Sequence, residues 1–347
     1  MYISTIKDGI NTVHKNYQLI FIHLVSVILS CASFFVIVGI PVAIAFIMFG
    51  VDFTEIMRIK DIAEIPQGIA GLLSKYFGVA LIIVLGLILY IIFVIALWVF
   101  TFSGTIGILA ASITESAFPE SHRLSGNAGV RRFTLNLFFT EGKRLFLPVF
   151  FFLVVIGSVF AIIMALLSII GGAASAVIES AKSYDATLAL FLSIFFALII
   201  LSAGIFLILA ILSVTTYGFA YLAFNRSGPF HTLQETVRYL YKTPSSIGFY
   251  TLLIAGYLLI GFIVVLIAYP FALIPVIGPL LSLPYQLLSY IIQGYLNLIL
   301  LASVFRFYYS SGYSSSPLSS TVDSGISLSS GQGQFHAPDG TAGSQQV

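Results

Sequence analysis

Charge is what this sequence has least of. Only 8% of its 347 residues are Asp, Glu, Lys or Arg. A soluble domain carries about 25% charged residues, and so few cannot form the polar shell a water-facing fold of this length needs. The net charge of +2, with no block of five or more like charges, gives no footprint for nucleic-acid binding. Cysteine occurs once, as Cys31, so an intrachain disulfide and any zinc site built on several thiolates are excluded. The five histidines, His14, His23, His122, His231 and His336, lack metal-ligand spacing. There is no phosphate-binding glycine loop, HExxH helix, dinucleotide fingerprint or nucleophile elbow. The expectation is a chain that is not an enzyme and holds neither cofactor nor metal.

Apolar length is what the chain has instead. It is 59% hydrophobic, with a mean hydropathy of +1.08. Five stretches carry no charge: 16–51, 76–114, 145–178, 186–225 and 243–305. A helix needs about 20 apolar residues to cross the hydrocarbon core, so the lipid bilayer is the expected partner. Runs 76–114 and 186–225 contain no proline and no dense turn cluster. A reversal inside lipid would leave backbone groups unsatisfied, so each reads as one long helix. The last run is too long for one span and breaks where Pro270, Pro275, Pro279 and Pro284 recur. Gly39 and Pro41 predict a kink in the first span, and Gly171-Gly172-Ala173-Ala174 the end of the third. The first apolar run is too long for a signal peptide's core and reads as a retained span.

These features predict an all-α, polytopic transmembrane bundle over 1–309. Its six spans lie at about 19–49, 79–113, 145–171, 187–224, 247–269 and 280–307. A Ser/Gly-rich tail, 310–347, follows and has too little apolar surface to fold. Eleven of the fifteen Lys and Arg fall on the side holding both termini and the segments 115–144 and 226–242. The positive-inside rule then puts both termini in the cytoplasm of a cell membrane.

A repeat is legible. Ile3, Ile6, Ile10, Val13 and Tyr17 share one helical face, and so do Leu233, Val237 and Leu240. Aligning Ile6 with Leu233 also pairs Ile10 with Val237, Val13 with Leu240 and Lys15 with Lys242. Val130, Phe133, Leu137 and Phe138 give a middle copy without fixed register. Three units result, each an interfacial helix followed by two spans; the alternative is that any basic loop entering a membrane helix looks amphipathic. Residues 52–65 read as a further amphipathic segment on the outer side.

No charged residue lies near the middle of a predicted span, which argues against a proton relay. Two uncharged polar stripes remain. Gln286, Ser289, Gln293 and Asn297 recur on one face of the last helix, and His23, Ser26, Ser30 and Ser33 on one face of the first. Carboxamides avoid lipid tails, so both faces are expected to point into the bundle. They read either as hydrogen bonding between helices or as the lining of a ligand site. Gly104, Gly107 and Ala111, and Gly256 and Gly261, read as close helix contacts.

The layout, its apolar reversal Leu273-Ile274-Pro275-Val276-Ile277-Gly278-Pro279 and the closing Phe305-Arg306-Phe307-Tyr308-Tyr309 resemble the membrane domain attached to some glycerophosphodiester phosphodiesterases and related stand-alone prokaryotic proteins. The resemblance covers about residues 1–309 and implies a fold. No phosphodiesterase domain accompanies it, so no catalytic residue is implied. The functional expectation is a non-enzymatic scaffold or accessory in envelope or lipid physiology. The alternative is a carrier or channel for a neutral or amphiphilic solute, lined by the last helix.

Overall fold

The structure is a computed structural model that describes residues 2–47, 77–117, 133–225, 227–272 and 277–313. Among these residues the chain is all-helical, without strands. The helices are α1 (Tyr2–Lys15), α2 (Gln18–Phe34, continued through a wide turn, Phe35–Gly39), α3 (Phe77–Ala117), α4 (Leu135–Lys182), α5 (Ala186–Asn225), α6 (Pro229–Lys242), α7 (Ser245–Ala272) and α8 (Ile277–Tyr308). Six are long and apolar enough to cross a membrane: Gln18–Ile47, Phe77–Glu115, Leu135–Lys182, Ala186–Asn225, Ser245–Ile267 and Pro284–Ser311. This set fits a multi-pass membrane protein whose apolar helices contact lipid. The compact unit ends at Tyr308; beyond it, only the helical turn Tyr309–Tyr313 is described. The 52–65 segment, Val130 and the tail from 314 lie outside the described residues.

The third span departs from its expected bounds. Instead of 145–171, preceded by a separate interfacial helix, α4 is one helix of 48 residues, about 72 Å long at 1.5 Å per residue. Its start is capped by Thr134, whose hydroxyl accepts from Leu137 N–H. Phe138, assigned to the interfacial segment, is buried within it. The helix also runs through Gly171–Gly172 to Lys182. Two glycines cost about 1 kcal/mol each in helix propensity, less than opening backbone hydrogen bonds in hydrocarbon. Asp185 then accepts from Thr187 N–H at 2.7 Å and starts α5.

The kink expected in the first span takes the form of a π-helical turn. Ile40 N–H donates to Phe35 C=O, five residues back. Pro41 has no N–H for Ile37 C=O, and that carbonyl lies against Gly86 of α3, 3.0 Å from where a Cβ would sit. The proline-punctuated reversal is shorter than expected. Helix α7 continues to Ala272 and α8 begins at Ile277, with Pro284 inside it.

Packing divides the molecule into two levels. In what we call the base, side chains are buried. Thr101 to Ala110 of α3 are buried without a break, as are Thr216 to Ala220 of α5 and most of α8 from Leu298 to Tyr308. The other level, the distal half, exposes its apolar side chains. On α3 no residue from Phe77 to Trp98 is buried.

Most of the described glycines follow this division, although distal Gly86 lies close against Ile37 C=O and Gly248, beside buried Phe249, faces open space. An added Cβ on Gly104 would run into the Phe138 ring and one on Gly218 into the Phe152 ring, and on Gly107 it would stand 2.6 Å from Glu141 Cβ. On Gly9 it would lie 3.0 Å from Ser303 Cα, on Gly142 3.1 Å from the Phe100 ring. All five belong to the base. Distal Gly157, Gly171, Gly172, Gly204, Gly256, Gly261 and Gly294 face open space. Close approach through Gly104 and Gly107 agrees with the sequence reading; Gly256 and Gly261 do not make such contacts.

Helices α1 and α6 exist as separate amphipathic helices, with faces used the opposite way from a soluble protein. The protein-facing positions are Thr5, Gly9, Thr12 and Val13 on α1, and Thr232, Thr236 and Leu240 on α6. Ile3 is 84% exposed, and Ile10 and Val237 are exposed too. Small and hydroxyl residues, with Val13 and Leu240, face the bundle, and half of the apolar stripe faces outward, the orientation lipid favours. Shifting α1 by the offset that aligns Ile6 with Leu233 pairs buried Thr5, Gly9 and Val13 with buried Thr232, Thr236 and Leu240.

Candidate functional site

The polar stripe of the first span is consumed in contacts with α3. His23 Nε2 lies 3.1 Å from Thr105 Oγ1. Thr101 Oγ1 donates to Ser26 Oγ at 3.3 Å, and Ser30 Oγ lies 3.4 Å from the Tyr90 hydroxyl. Ser33 Oγ bonds its own helix at Leu29 C=O. About two turns nearer the terminus, Asn16 Nδ2 donates to Thr12 C=O and to Ser112 Oγ. These groups join α2 to α3.

The stripe of the last helix behaves differently, and here the expected burial is corrected. Gln286, Gln293 and Asn297 are exposed, and Ser289 is half-buried. Gln293 Nε2 donates to Ser289 Oγ of its own helix at 3.2 Å. No hydrogen bond joins Gln286 or Asn297 to the described residues. The reason lies in the helix register. Asn297, Val304 and Tyr308 recur at i, i+7 and i+11, so they share a face. At Val304 and Tyr308 that face is buried. Asn225 of α5 donates to the Tyr308 hydroxyl at 3.3 Å, and Phe224 stacks on the Tyr308 ring. Above this level the same face of α8 is uncovered. On α5, exposed Phe206 shares the face of Phe224, whereas exposed Leu198, Leu201 and Ile205 share that of Phe219, which packs on Phe102 and Phe152.

A second polar cluster went unrecognised in the sequence. Where α5, α6, α7 and α8 meet in the base, Tyr217 donates to Ser246 C=O at 3.0 Å, and Thr216 Oγ1 lies 3.4 Å from the Tyr250 hydroxyl. Tyr239 packs on Tyr217 and on Tyr308, and Phe249 stacks on Phe307 at 4.5 Å between ring centres. Eighteen tyrosines spread through the chain gave no spacing signal for this cluster.

Ion pairs occur in the base. Glu141, buried beside Gly107, pairs with Arg144 one turn on. Asp8 of α1 pairs with Arg306 of α8 at 3.5 Å, and Glu235 with Arg238 at 3.6 Å. Among the described residues, no three His, Cys, Asp or Glu side chains converge as a metal site would require.

The arrangement therefore offers polar contacts between helices in the base, beside the buried hydroxyls of Ser103, Ser213, Thr236, Ser246 and Ser303, which make no hydrogen bond among the described residues, and an open uncharged face on α8. Comparison of the chain with protein-family models, with curated proteins and with solved structures found no match in any of the three.

Proposed function

We propose that this chain is a non-enzymatic integral membrane protein, a scaffold or accessory in envelope or lipid physiology. It sits in the cell membrane with both termini and the base on the cytoplasmic side. The observation that carries this reading is the use of polar groups in the base. His23, Ser26, Asn16, Tyr217 and Glu141 all bond to neighbouring helices or to their own. Groups committed to holding helices together are not free for proton transfer or nucleophilic attack. The bundle is three units of interfacial helix plus two spans, a reading supported by the matching buried positions of α1 and α6 and by a layout similar to that of the phosphodiesterase-linked membrane domains. In the middle unit the interfacial helix has fused into α4.

A second reading, a carrier for a neutral or amphiphilic solute, is favoured by the exposure of Gln286, Gln293 and Asn297 in a span where unpaired amides are costly. Reconstitution separates the two. On the scaffold reading, vesicles holding the purified chain pass glycerol and a fluorescent phospholipid no faster than empty vesicles. Flux that disappears in Gln293→Leu would replace it with the carrier.

A further inference from the structure

We propose that the three units close into a ring in the base and that α1 is a releasable strap across its seam. The ring rests on the three-unit reading of the bundle, and the strap holds whether or not a solute crosses the bilayer.

Contacts between helices recur with the units advanced by one. The last helix of each unit, α3, α5 or α8, touches the other two. The first span of a unit packs on its own last helix and on that of the unit before: α4 on α5 and α3, α7 on α8 and α5. Helix α2 packs on α3 and also on α8, the last helix of the third unit. The interfacial segments obey the same rule. Helix α6 lies on α5, where Tyr239 meets Tyr217. The start of α4 lies on α3, where Phe138 and Glu141 cover Gly104 and Gly107. Helix α1 lies on α8, where Gly9 meets Ser303 and Asp8 pairs with Arg306. A row of three units would leave the first without a preceding unit to pack on. Here the third unit takes that place, which makes the arrangement cyclic and pseudo-threefold.

The seam between α1 and α8 differs from the other two. The start of α4 is continuous with its span. Only residues 226–228 separate α5 from α6, and Thr243 and Pro244 separate α6 from α7, so the departure of α6 would drag both neighbours with it. Helix α1 continues into α2 through Asn16 and Tyr17, but it meets α8 by contact alone. Asn16 anchors the hinge, since its amide donates to Ser112 of α3. At the other end Tyr2 packs against Phe249 of α7 and Phe307 of α8. Release costs little hydrophobic burial in this solvent. Ile3 and Ile10 are already turned outward, and lipid matches apolar surface. What is given up is packing at Thr5, Gly9, Thr12 and Val13 and a half-exposed ion pair. Ser303 Oγ, buried beneath Gly9, makes no hydrogen bond among the described residues, and release lets it bond to water.

The test uses the full chain in nanodiscs, with Cys31→Ala and the single reporter Ser303→Cys, read by its rate of reaction with N-ethylmaleimide. In the otherwise native chain the reporter is expected to be protected. Gly9→Leu drives a side chain against the Ser303 backbone and should speed labelling roughly 30-fold. The milder Asp8→Asn should speed it roughly twofold. A control reporter, Ala220→Cys, buried in α5, should keep its slow rate beside Gly9→Leu. An unchanged rate at Ser303→Cys overturns the strap. So does an equal rise at both reporters, because α1 would then come away only when the whole base opens. Oxidation of Asp8→Cys paired with Arg306→Cys should form a bond within one chain; a predominant dimer overturns the closed ring. Glycerol flux through vesicles would replace the scaffold reading and leave the ring and strap in place. A dimer without flux removes the ring and leaves the scaffold.

Discussion

The two ends of helix α5 make an instructive comparison. Its last third is a core: Tyr217, Gly218, Phe219 and Ala220 are buried, with contacts to α3, α4, α6 and α7, and the Tyr217 hydroxyl bonds across to Ser246. Its first two-thirds expose Leu198, Leu201 and Phe206 with equal apolarity. Hydrophobicity does not separate these lengths. Small residues and hydroxyls do, because between membrane helices the drive is close packing and hydrogen bonding, with lipid a match for any apolar surface. Glycine means contact where a ring or side chain on the next helix fills its space, as at Gly104 and Gly218. It means nothing of the kind at Gly204 or Gly256.

Substitutions sharpen the contrast. The largest effect is expected for Gly218→Leu and Gly104→Leu, which drive a side chain into the Phe152 and Phe138 rings. Overpacking of this kind costs about 3 kcal/mol, and thermal unfolding in detergent should fall by many degrees. Gly204→Leu in the distal half of the same helix should leave the transition unchanged. Next comes Tyr217→Phe, which strips the buried Ser246 carbonyl of its donor; about 1 kcal/mol is expected in a steric-trapping measurement. Smaller again is the coupling between His23→Ala and Thr105→Val in a double-mutant cycle, about 0.6 kcal/mol. The smallest is Asp8→Asn. Its pair with Arg306 is half-exposed, and such pairs contribute about 0.5 kcal/mol, reduced further by salt. A Gly218 variant as stable as wild type, or a Gly204 variant that unfolds readily, would break the distinction between the two levels.

Much of the fold was legible because lipid enforces simple rules. Charge-free length gave the six helices, and the absence of proline in 186–225 gave α5 to within a residue at each end. The ends of α4 were hidden for the same reason. Glycines that stop a helix in water do not stop one in hydrocarbon, so the Gly171–Gly172 signal was overridden. The charges at Glu141, Lys143 and Arg144 suggested an interfacial segment, yet Glu141 is folded against Gly107 with its own cation one turn away. Periodicity found the stripes on α2 and α8 without saying which was covered. That depends on whether a neighbour stays alongside. Thr101, Thr105 and Tyr90 of α3 track His23, Ser26 and Ser30 along α2, whereas on α8 Gln286, Gln293 and Asn297 are left exposed. The tyrosine cluster of the base has no sequence period because four helices contribute to it.

The division into a packed base and a lipid-exposed distal half is tested most directly by oxygen accessibility of nitroxides placed one at a time along α5 from 196 to 223, in bilayers and with Cys31 replaced. The account predicts high accessibility on most positions from 196 to 212, then a fall on all faces from 213 to 223. A helical period persisting with equal depth from one end to the other would mean that α5 is packed along its whole length, and would contradict it.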